Sequence, residues 1–150
     1  GNAQSALDTT AAGDAWDNGF SFGGTAYVAM AGSTASNNKS INYTFPSIMD
    51  DLALSASYSG STTGIASTTA WAATYTGIEG LSVSYGSGEN GSRTAGTGGD
   101  VTTMKGSYAM GSFTAAYSNT ESDKAGTGTD EEMTSFKLSY TVTDDLSVSY

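Results

Sequence analysis

The chain of 150 residues has a formal net charge of −10 and is rich in small residues, with 20 Gly, 23 Ser and 22 Thr. Leu, Ile, Val and Phe together number only 20, too few for the packed core of a water-soluble domain of this length. Such a composition is typical of disordered chains, but nine Tyr, five Phe and two Trp argue against disorder. The absence of Cys and His excludes disulfides, thiolate metal sites and a Ser-His-Asp triad.

The charge and hydropathy patterns exclude further classes of protein. Five scattered basic residues cannot form a nucleic-acid footprint, so no nucleic-acid partner is expected. With no convergent polar cluster either, the sequence predicts neither an enzyme nor a cofactor or metal site. No apolar run approaches the roughly 18 residues of a transmembrane helix. Gly1 begins a polar stretch without the basic and apolar regions of a signal peptide, which predicts a mature, processed or partial chain.

The beginning of the chain differs from the rest. Residues 1–18 do not alternate between apolar and polar positions, and residues 19–31 combine two incompatible phases of alternation. The second segment fits either one strand with a bulge at Gly23 or a loop. The chain is therefore expected to form nine strands with this segment, or eight without it.

Residues 39–150 contain a repeated pattern of strict alternation. Four segments place an apolar or aromatic residue at every second position, and a further alternating segment precedes each of them. The four segments begin at Leu52, Leu81, Phe113 and Leu146, so they are separated by 29 to 33 residues. Alternation of this kind indicates β-strands with one apolar face, and the regular spacing predicts four β-hairpins.

The links between these strands are of two kinds. Those within a hairpin are short, and those between hairpins are longer and rich in Gly, Ser and Thr. The short links are 46–51, 76–80, 109–112 and 143–145, and the long ones are 59–67, 86–100 and 118–132. Short turns at one end and long polar loops at the other are typical of a transmembrane β-barrel. The fold class predicted is therefore all-β, an antiparallel up-and-down barrel sheet.

The face opposite the apolar one consists mainly of Ser, Thr and Ala, which suits a water-filled lumen better than a packed core. Lys105 and Lys137 each lie mid-strand between two residues of the apolar face. A lysine facing lipid at mid-membrane costs roughly 2–4 kcal/mol, so both side chains are predicted to face the lumen.

The tyrosines recur near both ends of the strands. One set precedes the short turns and the other lies toward the long loops, as aromatic girdles at two membrane interfaces would. The first set is Tyr75, Tyr108 and Tyr140, and the second is Tyr58, Tyr85, Tyr117 and Tyr150. Cross-strand packing in a soluble sheet is the alternative explanation.

Seven of the fifteen acidic residues fall in the predicted long loops. They form either an acidic rim that repels anions or meets divalent cations, or simply solvated loops. These loop residues are Glu89, Asp100, Glu121, Asp123, Asp130, Glu131 and Glu132. The pairs at 50–51 and 144–145 lie in short turns, where aspartate is common for conformational reasons.

Three segments resemble Gram-negative general porins of the alphaproteobacterial type. They are Tyr-Thr-Phe-Pro-Ser at 43–47 with the strand 52–58, the unit 77–86, and residues 1–8, which resemble the entry to the pore-constricting third loop. The resemblance implies an outer-membrane homotrimer of barrels of about sixteen strands, in contact with lipid and lipopolysaccharide, through which small hydrophilic solutes diffuse.

The resemblance also makes residues 1–18 a possible constriction-loop segment, with Asp8, Asp14 and Asp17 as its acidic residues; a solvated loop is the alternative. Lys105 and Lys137 would then be the basic wall residues of the constriction, or they would line a wide lumen away from it. Because eight or nine strands are about half of such a barrel, the single domain 1–150 is expected to be part of a porin. A complete eight-stranded barrel is the competing hypothesis.

Two other functions remain open from the sequence. One is a barrel that forms no pore and acts as an adhesin, an anchor or a phage receptor. The other is a secreted structural β-protein rich in Gly, Ser and Thr. A solenoid of that second kind would not alternate short turns with long loops.

Overall fold

The computed structural model describes residues 40–46, 48–61, 63–64, 66–91, 93, 98–143 and 146–149. The predictions made for residues 1–38, including the strand or loop at 19–31, lie outside these residues. Within the described part of the chain, no helix is both long and apolar enough to cross a membrane.

Eight strands form a single antiparallel sheet in which each strand is paired with its neighbours in sequence. The strands are β1 (Ser40–Thr44), β2 (Leu52–Ser59), β3 (Thr68–Ile78), β4 (Leu81–Asn90), β5 (Gly99–Met110), β6 (Phe113–Lys124), β7 (Glu131–Thr143) and β8 (Leu146–Ser149). This order confirms the predicted all-β, up-and-down class. The sheet is open, since β1 and β8 are not paired with each other in the described register.

The hairpin turns explain the short links. Leu81 is paired with Ile78 across a two-residue turn, and Phe113 is paired with Met110 across another. Gly80 and Gly111 occupy these turns with φ of 76° and 58°, in the region that glycine favours. The turns therefore fix the register of both hairpins from their closed ends.

The loops between hairpins are shorter than the sequence predicted. β4 continues to Asn90 and β6 continues to Lys124, so the loops are 91–98 and 125–130. The prediction failed because the extra strand residues are polar on both faces, and hydrophobic alternation is then invisible. Apart from Asp130, the acidic residues assigned to long loops lie on strands, which corrects that prediction. The corrected residues are Glu89, Asp100, Glu121, Asp123, Glu131 and Glu132.

Candidate lumen wall and membrane-facing surface

The two faces of the sheet have opposite chemistry. One, here called the aromatic face, includes Trp71, Tyr85 and Tyr117; the other, the hydroxyl face, includes Thr103 and Ser118. Among the described residues, twenty large apolar side chains are 36–69% exposed, and most of them lie on the aromatic face. The most buried side chains, such as Thr103 at 1% exposure, lie on the hydroxyl face. A soluble sandwich would bury its large side chains instead, so the aromatic face needs an apolar surrounding.

The apolar residues of the aromatic face form a band with a defined edge toward the longer loops. Beyond this edge the same face becomes polar. The edge residues, in strand order from β2 to β7, are Tyr58, Trp71, Tyr85, Met104, Tyr117 and Phe136. All six are among the exposed large apolar residues.

This edge crosses the hydrogen-bonded rows of the sheet diagonally. The register partner of Tyr58 is Thr69, two residues beyond Trp71, and the partner of Trp71 is Ser87, two residues beyond Tyr85. A third shift of two residues occurs between β5 and β6, where Met104 is opposite Asn119. The band thus moves six residues along the strands between β2 and β7.

The other edge of the band is displaced in the same direction. Tyr75 shares its row with Val83 and Gly106, and Gly106 lies two residues before Tyr108. A second step of two residues separates Tyr108 from Tyr140, because the row of Tyr108 ends on β7 at Leu138. The predicted turn-side tyrosines therefore lie on a line parallel to the first edge.

The displacement corresponds to a strand tilt. Six residues are roughly 20 Å along a strand, and five strand spacings are roughly 24 Å across the sheet. A level band would therefore cross strands tilted by about 40°, inside the range in which transmembrane barrels close. Packing preferences of single cross-strand pairs give no reason for a diagonal, so the register favours the girdle hypothesis over the soluble-sheet alternative.

The hydroxyl face is linked by direct contacts between opposed side chains. Ser118 Oγ lies 2.6 Å from Ser135 Oγ, and Thr74 Oγ1 lies 3.0 Å from Ser84 Oγ. Thr120 Oγ1 donates to Thr103 Oγ1 at 3.3 Å. Sequence alternation identified this face but not these pairs, because pairing depends on the register of strands distant in sequence. The hydroxyl contacts therefore join neighbouring strands across this polar face.

Lys105 and Lys137 both lie on the hydroxyl face. Lys105 is opposite Ser84 and Ser118, and Lys137 is opposite Ala116. Both side chains are half-buried, and neither forms a salt bridge or a side-chain hydrogen bond among the described residues. Their ammonium groups therefore face the same side as the small polar residues.

Charge is divided between the two faces of the strands. A further lysine of the described strands, Lys124 on β6, also lies on the hydroxyl face. Its Nζ is 3.3 Å from Glu131 Oε2. The remaining strand acids lie on the aromatic face, beyond the apolar band. They are Glu89, Asp100, Glu121, Asp123 and Glu132.

The acids of the aromatic face form no recognisable ion site. Thr69 donates both its amide N–H and its hydroxyl to Glu89, and Asn119 donates to Glu132 at 2.8 Å. Within the described part of the chain, no group of three or more acidic side chains is placed to hold a metal ion.

The other predicted site residues are Asp8, Asp14, Asp17 and Tyr150. They lie outside the described residues, so their roles stay predictions. Trp71, Met104 and Phe136, which complete the diagonal edge, were absent from the predicted girdle. Their alternation was visible in the sequence, but only the register shows that they continue the line of tyrosines.

An up-and-down antiparallel sheet with an apolar band on one face and small polar residues on the other is the architecture of a transmembrane β-barrel wall. A protein-family comparison independently matches residues 1–150 to the Gram-negative porin family. The chain belongs to this family. Searches of curated proteins and of solved structures found no match.

Proposed function

We propose that this chain forms part of the wall of an outer-membrane channel through which small hydrophilic solutes and ions diffuse passively. The observation that supports this most strongly is the division of the sheet into an aromatic face and a hydroxyl face. The porin family points to a channel rather than an enzyme. A lumen-facing surface of hydroxyls leaves room for water, whereas bulky side chains would fill a narrow barrel.

In this proposal the aromatic face contacts lipid and its two diagonal edges lie at the membrane interfaces. The girdle residues are Tyr58, Tyr75, Tyr85, Tyr108, Tyr117 and Tyr140. The acidic positions beyond the band then face the headgroup region of the outer leaflet, where lipopolysaccharide lies. Lys105 and Lys137 line the lumen, and Asp8, Asp14 and Asp17 remain predicted acids of the constriction loop.

Conductance of the natural protein in planar lipid bilayers tests the channel. Discrete, ohmic current steps after insertion are expected if the hydroxyl face lines an open pore. Folded, lipid-inserted protein that produces no current would contradict the proposal and favour the adhesin, anchor or receptor alternative. The antiparallel order of the eight strands already argues against a solenoid of parallel strands.

The homotrimer is a separate proposal that follows from family membership. Electrophoresis of unheated detergent extracts, with native mass spectrometry as the measure of subunit number, is expected to show three copies. A stable monomer under those conditions would contradict it without affecting the channel.

A further inference from the structure

The charge of the hydroxyl face is opposite in sign to that of the whole chain. The chain has a net charge of −10, yet this face of the described strands has three lysines and one glutamate. The glutamate, Glu131, is already paired with Lys124. Lys105 and Lys137 therefore give the described wall an uncompensated positive charge.

The two lysines also lie at one level relative to the apolar band. Lys105 directly follows Met104 and Lys137 directly follows Phe136, and both of these residues belong to the same diagonal edge. The lysines are two strands and two residues apart in register, so their Cα atoms are separated by about 12 Å. Extended lysine side chains can bridge much of this distance toward one solute.

Among the described residues, no acidic side chain lies directly opposite either lysine. Lys105 is opposite Ser84 and Ser118, and Lys137 is opposite Ala116. Ser107 lies one strand further along the row of Lys137. Hydroxyl groups donate hydrogen bonds to anions, and fixed cations that line a pore select for anions. The acids of the neighbouring strands face the other side of the sheet and are separated from the lumen by the backbone.

We propose that Lys105 and Lys137 form an arc of positive charge that makes the channel prefer small hydrophilic anions over cations. The proposal rests on the channel proposed above and specifies its solutes. Each ammonium attracts a monovalent anion at roughly 6 Å in water strongly enough to raise its local concentration about threefold. The effect decreases with salt, because the screening length falls from about 10 Å at 0.1 M to about 3 Å at 1 M.

The test is the reversal potential of the natural protein in a planar bilayer under a KCl gradient centred near 0.1 M. The native channel is expected to pass chloride in preference to potassium. The double variant Lys105→Gln with Lys137→Gln should raise the potassium-to-chloride permeability ratio by about threefold or more, since two attractive charges are removed. The double variant with arginine at both positions should retain the native ratio, because it retains the charge.

A matched control removes two acids from the aromatic face of β6 and β7. Glu121→Gln with Glu132→Gln should leave the ratio unchanged, although it alters the net charge by the same magnitude. A native channel that prefers potassium, or a glutamine double variant with an unchanged ratio, would overturn the anion proposal while the channel stands. Absence of current from all folded variants would overturn the channel itself.

Discussion

Gly80 closes the β3–β4 hairpin in a left-handed conformation that glycine favours. Its φ is 76°, and an added Cβ would overlap the carbonyl oxygen of Ala109 on the neighbouring hairpin. Ala109 also donates its amide N–H to the Gly80 carbonyl at 2.8 Å. The turn thus contacts the next hairpin directly, and both its conformation and its close approach need glycine.

We expect Gly80→Ala to destabilise the folded protein by roughly 1–3 kcal/mol, because positive φ and the overlap add together. The measurement is the urea midpoint of folding in lipid vesicles. Gly106→Ala is the matched control, since an added Cβ there meets no atom within 4 Å. Equal urea midpoints for the two variants would show that the turn accommodates a side chain at position 80 without loss of stability.

At the residue scale, alternation in the sequence placed Lys105 and Lys137 on the face opposite the apolar one, because side chains alternate between the two faces of a strand. No comparable local rule relates Gly80 to Ala109, which lies on a different hairpin. Their contact depends on the register between β4 and β5, and register is not encoded in either segment alone. Side chains that face one another across strands were unpredictable for the same reason.

At the scale of one strand, β7 contains adjacent positions with opposite environments. Leu138 is 45% exposed in the middle of the apolar band, and Ser139 lies on the hydroxyl face. We expect Leu138→Lys to destabilise insertion by about 2–4 kcal/mol, because the charge would lie in lipid. Ser139→Lys should cost far less, since the charge would lie in the proposed lumen.

Folding free energies of these two variants in lipid vesicles provide the comparison. Similar costs at both positions would mean that the two faces of β7 do not differ in surroundings. A larger cost for Ser139→Lys would reverse the assignment of lipid and lumen. Either result can be obtained without a current measurement, so it is independent of channel activity.

Strand length was the least predictable feature of the elements. The apolar part of each strand was recognised from alternation, but segments such as 118–124 have polar residues on both faces. Their pairing with β5 is maintained by backbone hydrogen bonds, which depend little on side-chain hydropathy. The acids of this region therefore belong to strands rather than to loops.

At the scale of the whole molecule, the aromatic face should be covered by lipid when the protein is inserted. Trp71 reports on this, because its side chain is 48% exposed at the edge of the band. In a Trp16→Phe background, lipids with brominated acyl chains are expected to quench the fluorescence of Trp71, and aqueous iodide is expected to quench it weakly. Bromine quenches only within a short distance of the indole.

The control places the only tryptophan on the other face. Ser84→Trp, with both natural tryptophans replaced by phenylalanine, should respond to iodide and not to brominated lipid. If Trp71 instead responded to iodide alone, the aromatic face would be in water and the membrane orientation would be wrong.

The diagonal course of the apolar band has a consequence for how far each residue lies from the membrane surface. With strands tilted by about 40°, each step to the next strand along a hydrogen-bonded row changes the depth by roughly 3 Å. One row passes through Ala56, Trp71, Ser87, Thr102, Glu121 and Glu132. In the proposed orientation it therefore rises by roughly 15 Å, from the hydrocarbon to the headgroup region. Residues that are paired directly across neighbouring strands therefore lie at different depths in the membrane. The same substitution at two such residues will change the free energy of folding by different amounts.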